Sequence, residues 1–228
     1  MKRLGAAAVA ILMLAGCSGS SPSVDAARAL RDGAATMSRL TTVAATLKMT
    51  KGTITFQGLT LVKAQTAVRL PADSDTTYTL KQQDVTVGIQ VVITGGHVYL
   101  RLPFTPMQEA PPTLAASFPD MARLFDTATG LPAVIPAGSA PRYVSTDQVA
   151  GQSAYQIATS YTADQVHGLL AKLESGGPVA ARVWVDAGDH QIRKAVLDGA
   201  FGDNSTEAAL EVDITAFDKP VAITSPTP

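Results

Sequence analysis

The chain has 228 residues, of which 46% are apolar and 16% are charged, with 18 Lys and Arg against 19 Asp and Glu. This near-neutral balance argues against nucleic-acid binding, which requires a basic surface, and the apolar fraction argues against disorder. A single cysteine excludes a disulfide framework and a CxxC metal site. The composition therefore predicts an apolar globular domain without indicating what it does.

The N-terminal segment has the pattern of a lipoprotein signal. Lys2 and Arg3 precede an apolar run over residues 4–15, shorter than the roughly 20 residues that span a bilayer and typical of a secretory signal. The run ends in Leu14-Ala15-Gly16-Cys17, which resembles the bacterial lipobox, where the cysteine receives a diacylglyceryl thioether and becomes the first residue after cleavage. The alternative is an ordinary secretory signal with an incidental cysteine.

These observations predict three parts of the chain. Residues 1–16 form the signal peptide, residues 17–23 contain the acylated Cys17 and a flexible Ser/Gly tether, and residues 24–228 form one domain. Each methylene of an acyl chain that is buried in the bilayer contributes about 0.8 kcal/mol to membrane binding, so two or three chains anchor a protein stably. We therefore expect a protein that is lipid-anchored to the outer face of the plasma membrane.

The domain begins with a helix and continues with strands. Apolar residues at helical spacing predict an amphipathic helix over residues 24–40, with Ser23 as its N-cap. A switch to period two then predicts strands. The predicted strands in the first half are 42–50, 53–56, 61–70, 76–81, 85–94 and 97–102.

The strand at 85–94 has the clearest alternation. Its inward row is predicted to be Val85, Val87, Ile89, Val91 and Ile93. The sequence Thr94-Gly95-Gly96-His97 predicts a tight hairpin to the next strand.

The second half of the domain begins with a proline-rich segment. Eight prolines between residues 103 and 141 break any long element and predict only short helices, around 113–125 and 130–135. A longer helix is predicted over 162–174, and strands over 142–149, 154–160, 179–187, 191–197 and 207–217. Together these elements predict a curved, mostly antiparallel sheet covered by a few helices.

The usual catalytic patterns are missing from the sequence. His97, His167 and His190 are far apart and form no HxxxH or HxH pair. Asp186, Asp189 and His190 could be metal ligands, but the segment that contains them is typical of a hairpin turn. No nucleophile elbow or phosphate-binding glycine loop is present. We therefore expect a protein that is not an enzyme and has no cofactor or metal.

The apolar composition leaves two interpretations of the interior. One is a tightly packed core. The other is an apolar cavity behind the curved sheet, with the Pro-, Phe- and Met-containing segment 103–125 at its mouth.

A family resemblance favours the cavity. The chain resembles the LppX/LprG-type mycobacterial lipoproteins (the LppX, LprA, LprF and LprG group) over residues 14–225. The stretches that support the resemblance are 27–43, the hairpin 84–102, Asp126-Thr127-Ala128-Thr129-Gly130-Leu131, Val149-Ala150-Gly151-Gln152 and Arg182-Val183-Trp184-Val185-Asp186.

The resemblance implies an α+β fold of the LolA/LppX type, in which a mostly antiparallel half-barrel is closed by a few helices around an apolar cavity. Such a protein would bind acyl chains of multi-acylated lipids or glycolipids and carry them between the plasma membrane and the outer envelope. Its partners would be the lipid, the membrane through Cys17 and a membrane lipid exporter. The candidate cavity residues are Leu47, Met49, Val87, Ile89, Val91, Val98 and Leu100, with Phe104, Phe118 and Phe125 near the mouth.

Each of these side chains could instead belong to a packed core. The alternative function is then a non-catalytic envelope interaction protein or an accessory subunit of a lipid exporter. An enzyme acting on lipid or peptidoglycan is the remaining alternative, although no paired acid and base or nucleophile is visible.

Overall fold

The computed structural model describes residues 24–56, 58–169 and 175–225. Its centre is a curved, unclosed antiparallel sheet with strand order β7-β6-β5-β4-β3-β1-β12-β11-β10-β9-β8, and β2 pairs with β3 at the side. The strands are β1 Thr42–Lys51, β2 Thr55–Phe56, β3 Leu59–Arg69, β4 Asp73–Gln82, β5 Val85–Thr94, β6 His97–Arg101, β7 Gln108–Glu109, β8 Ser139–Val149, β9 Gln152–Tyr161, β10 Val179–Asp186, β11 Ile192–Gly199 and β12 Ala208–Phe217. The fold class inferred from the sequence is confirmed.

The helices pack on one face of this sheet, which we call the covered face. They are α1 Ala26–Met37, α2 Pro112–Ala115, α3 Leu131–Val134 and α4 Ala163–Leu169, with 3₁₀ turns at Met121–Phe125 and Ile135–Ala137. Residues 110–137 lie between β7 and β8 and are called the cover. The opposite, open face of the sheet is mostly polar.

Helix α1 forms because its apolar residues recur every three or four positions. Leu30, Ala34 and Met37 are buried in the main core. The cap is Asp25, whose carboxylate accepts the Arg28 backbone N–H at 2.9 Å, so the prediction of Ser23 as N-cap is wrong; Ser23 itself lies outside the described residues. Gly33 allows a close approach to the sheet, because a Cβ there would lie 2.9 Å from the Ile192 side chain.

Strand β5 has the bounds predicted from its alternation. Ile89 and Val91 are buried and Val87 and Ile93 pack against the core, but Val85 is 62% exposed, so the predicted inward row is wrong at its first member. Val85 follows the turn from β4, beyond the part of the strand that the helices cover.

The hairpin between β5 and β6 is confirmed. Thr94 pairs with His97, and the two glycines between them have φ angles of 59° and 80°. Two consecutive positive φ angles are typical of the type I′ turn, which matches the twist of the flanking strands.

Several bounds differ from the prediction. The region 113–125 divides into α2 and a 3₁₀ turn, because Pro119 removes an N–H and disfavours helical geometry at Phe118. Strand β7 was missed because only two residues pair. Of the helix predicted over 162–174, the structure describes α4 through Leu169; residues 170–174 lie outside the described part.

Candidate functional site

The register of the sheet places the seven predicted strand residues on the covered face. Leu47 pairs with Ala64, Ala64 with Tyr78, and Tyr78 with Ile89, and residues directly opposite each other share a face. The other five side chains point to the same face, because they lie an even number of residues from these along β1 and β5 or pair with such residues on β6. One surface therefore contains Leu47, Met49, Val87, Ile89, Val91, Val98 and Leu100.

These seven side chains differ in burial. Leu47, Ile89, Val91 and Leu100 are 2–7% exposed. The remaining three, Met49, Val87 and Val98, are partly buried against the same cluster. All seven belong to a continuous apolar interior, and Leu47 also lines a cavity that is described below.

The three predicted mouth residues differ in burial. Phe118 and Phe125 are buried in the cover, and Phe125 lines a cavity. Phe104 is fully exposed in the loop between β6 and β7, with a φ angle of 63°. Phe104 therefore lies outside the apolar interior, and its place at the mouth stays a prediction.

Two adjoining cavities lie between the covered face, the cover and α4. Their volumes are about 80 and 60 Å³. Lys194 is among the residues that line the first cavity, and its ammonium group forms an ion pair with Glu211 at 2.7 Å. Thr66 contributes to the second. The residues that line both cavities are Leu131, Val166, Leu169, Leu197, Val212 and Ile214.

A larger depression of about 670 Å³ lies elsewhere, over β8 to β11. Arg142, Arg182 and Asp198 are among its lining residues, and it is open to solvent. Because such a groove leaves methylenes in contact with water, it is a poorer candidate for acyl chains than the two cavities, which are more enclosed.

The covered face also contains polar groups that the sequence analysis missed. Thr66 and Thr76 share a hydrogen bond of 2.8 Å between their hydroxyl oxygens, and Ser74 is 1% exposed. The Tyr78 hydroxyl is buried without a hydrogen-bond partner among the described residues. Ser74, Thr76 and Tyr78 occupy alternate positions of β4 and therefore share one face. Their spacing could have indicated this, but polar residues at alternate positions do not predict a row of inward-facing side chains.

Two buried tyrosines have contrasting surroundings. Burial raises the pKa of Tyr78, with a further contribution from the Asp120 carboxylate. Burial likewise raises the pKa of Tyr161, but its hydroxyl donates a hydrogen bond to the Ile135 carbonyl at 3.0 Å. Both hydroxyls therefore remain protonated donors at neutral pH.

The Asp186–His190 segment is the hairpin turn that the sequence predicts. Asp186 accepts hydrogen bonds from the Gly188 and Asp189 backbone N–H groups and from Arg193 Nε, at 2.8, 3.1 and 2.6 Å. Burial by itself raises the pKa of Asp186, but these donors hold it below its usual value. Among the residues that the structure describes, no group of three or more His, Cys, Asp or Glu side chains could hold a metal ion. In that same part of the chain, none of the helices has the length and apolar character needed to cross a bilayer.

The model of the LppX_LprAFG lipoprotein family matches residues 25–223, which is most of the chain. The chain belongs to the LppX_LprAFG lipoprotein family. The resemblance inferred from the sequence is therefore confirmed.

Solved structures agree with this assignment at the level of the fold. LprF from Mycobacterium bovis has a TM-score of 0.74 at 17% identity, over 91% of this chain and 100% of that one. LppX from Mycobacterium tuberculosis has a TM-score of 0.64 at 18% identity, over 87% and 97% of the two chains. No curated protein is significantly similar to this chain in sequence. The LppX_LprAFG half-barrel is thus retained at low sequence identity.

Proposed function

We propose that this LppX_LprAFG protein binds the acyl chains of multi-acylated lipids or glycolipids between the covered face and the cover. The observation that supports this most strongly is the pair of adjoining cavities with six shared lining residues, all apolar. Enclosed apolar walls suit acyl chains, because each methylene withdrawn from water contributes about 0.8 kcal/mol.

Binding a whole lipid requires the cover to move. The two cavities have volumes of about 80 and 60 Å³, whereas ligand pockets typically have about 300–1,000 Å³. The cover consists of helical turns of three to five residues. Displacing Phe125 and Leu131, which the cover contributes to the walls, would join and enlarge the cavities.

The small volume also favours the second candidate, an envelope interaction protein or exporter subunit with a filled core. The two functions differ in one respect. A carrier exchanges the side chains of the cover for lipid, and an interaction protein keeps them in place.

Anchoring is proposed to use Cys17. Residues 1–16 would be removed as the signal peptide, residues 17–23 would connect the acylated cysteine to the domain, and residues 24–228 would bind lipid at the outer face of the plasma membrane. The lipobox sequence and membership in a lipoprotein family support this arrangement. Replacing Cys17 with Ser is expected to release the protein from the membrane fraction.

Phe104 is proposed to contact the lipid first. The strand pairing puts the β6–β7 loop at the same end of the sheet as the β4–β5 turn. Phe104 and Val85 are therefore two large exposed apolar side chains at one end of the half-barrel.

The proposed carriage of lipid between membranes is tested by measuring lipid transfer between vesicles. Donor vesicles with a fluorescent triacylated lipid are separated from acceptor vesicles, and the Cys17→Ser protein without its signal peptide is added. A carrier increases transfer in proportion to protein concentration. Transfer at the rate without protein, together with a protein that retains no lipid, would support the interaction protein instead.

A further inference from the structure

A line of polar side chains crosses the covered face on β3 and β4. It consists of Ser74, Thr76 and Tyr78 on β4 with Thr66 on β3, and we call it the polar stripe. These side chains are 1–6% exposed. The proposed function, a binding site for acyl chains, does not by itself require them.

Within the stripe, Tyr78 differs from the threonines. Thr66 and Thr76 satisfy each other through their 2.8 Å hydrogen bond. The Tyr78 hydroxyl has no partner among the described residues, and leaving a buried polar group unpaired costs about 1–3 kcal/mol. A phenylalanine would fill nearly the same space without that cost. The hydroxyl therefore calls for an explanation beyond packing.

The surroundings of Tyr78 indicate what kind of partner it lacks. Its cross-strand neighbours are Ala64 and Ile89, and the Phe118 ring lies over it at 5.9 Å. None of these side chains can accept its proton, and the Asp120 carboxylate, which is near enough to raise the Tyr78 pKa, makes no hydrogen bond with the hydroxyl. Tyr78 is two residues from Thr76, or about 7 Å along the strand, and the Thr76 partner Thr66 lines the smaller cavity. The unpaired donor lines neither cavity itself; it lies on the strand next to Thr66 and contacts Phe118 of the cover that must move.

We infer that the Tyr78 hydroxyl donates a hydrogen bond to an ester carbonyl oxygen of the bound lipid. This inference rests on the proposed function and specifies the ligand: chains joined through esters, with the linkage at the polar stripe and the chains in the apolar cavities. Ligand pockets commonly combine apolar walls with a few such polar groups that fix orientation. A carbonyl oxygen is a suitable partner because it accepts without needing a donor in return.

The test compares two probes with equal chain lengths, a diacylglycerol with ester linkages and its dialkyl ether analogue. Their dissociation constants are measured for the wild-type protein and for Tyr78→Phe. The control is Tyr143→Phe, which removes a tyrosine hydroxyl that already bonds Thr146 at 2.8 Å and lies outside both cavities. A net hydrogen bond of about 0.5–1.5 kcal/mol predicts that the wild type and Tyr143→Phe prefer the ester about two- to twelvefold and that Tyr78→Phe loses this preference.

The outcomes separate the inference from the proposed function. If both probes bind but the wild type shows no preference, or Tyr78→Phe keeps it, the inference is wrong and acyl binding stands. If neither probe binds any variant, the proposed function itself fails. A stability readout adds a check, since without lipid Tyr78→Phe should be at least as stable as the wild type. A clear loss of stability would show that the hydroxyl already has a partner in the protein and would overturn the inference.

Discussion

The ring of Tyr78 on β4 lies 5.9 Å from the ring of Phe118 in the cover, with the two planes inclined by 44°. Aromatic pairs at this separation contribute about 0.5–1.5 kcal/mol beyond the area that they bury. The contact joins the cover to the polar stripe, so a movement of Phe118 away from the sheet would break it.

Phe118→Ala should loosen the cover. Removing a buried phenylalanine costs about 3–5 kcal/mol, which urea unfolding measures, and lipid exchange in stopped-flow experiments should become faster. The control is Leu30→Ala in α1, which has a comparable packing cost but lies outside the cover. Equal exchange rates for the two variants would contradict a gating role for the cover.

Leu197→Trp should block lipid binding by filling the cavities. Leu197 lines both of them, and a well-placed larger side chain costs about 1–3 kcal/mol of stability. Val196→Trp is the matched control, because the neighbouring residue lies on the open face beside Trp184. Bound lipid per folded protein should fall for Leu197→Trp alone. If both variants retain lipid equally, the acyl chains do not occupy these cavities.

Phe104→Ser should slow lipid uptake from vesicles without changing the fold. The side chain is fully exposed, so its removal should alter the unfolding free energy by less than about 0.5 kcal/mol. The rate is measured with a fluorescent lipid, and Val144→Ser, at another exposed apolar residue, is the control. An unchanged uptake rate would remove Phe104 from the proposed mouth.

Asp186→Asn should change the acid sensitivity of the fold. The pKa of Asp186 is lowered in the folded state, so its stabilisation is complete above the unfolded pKa of about 3.9 and is lost as the pH falls through the folded value. We expect the variant to be about 1–3 kcal/mol less stable at pH 7. That difference should shrink as Asp186 becomes protonated in the wild type. A constant difference from pH 7 to pH 2.5 would contradict this role.

The sheet could be predicted from the sequence where its physical signal is local. Strand β5 has its predicted bounds because apolar and polar residues alternate along it and Gly95-Gly96 can adopt two positive φ angles. Leu47, Ile89 and Val91 could be placed on one face for the same reason, since a period of two determines which side chains face inward.

The cover and the polar stripe could not be predicted in this way. Short turns broken by proline have no periodicity, so their positions depend on packing against β3 and β4 across long sequence separations. Ser74 and Thr76 occupy core-facing positions although they carry hydroxyls. The sequence of β4 therefore lacks the alternation of apolar and polar residues that would have predicted its start at Asp73. The exposure of Phe104 could not be predicted either, because an apolar residue in a loop has no periodicity that indicates which way its side chain points.

Native mass spectrometry of the Cys17→Ser protein without its signal peptide, purified from an actinobacterial host, tests the central claim most directly. We predict a co-purified mass that organic extraction releases and that fragmentation identifies as a di- to tetra-acylated lipid with ester linkages. The protein mass alone, repeated after incubation with host lipids, would contradict acyl-chain binding and would favour a packed core with an interaction role.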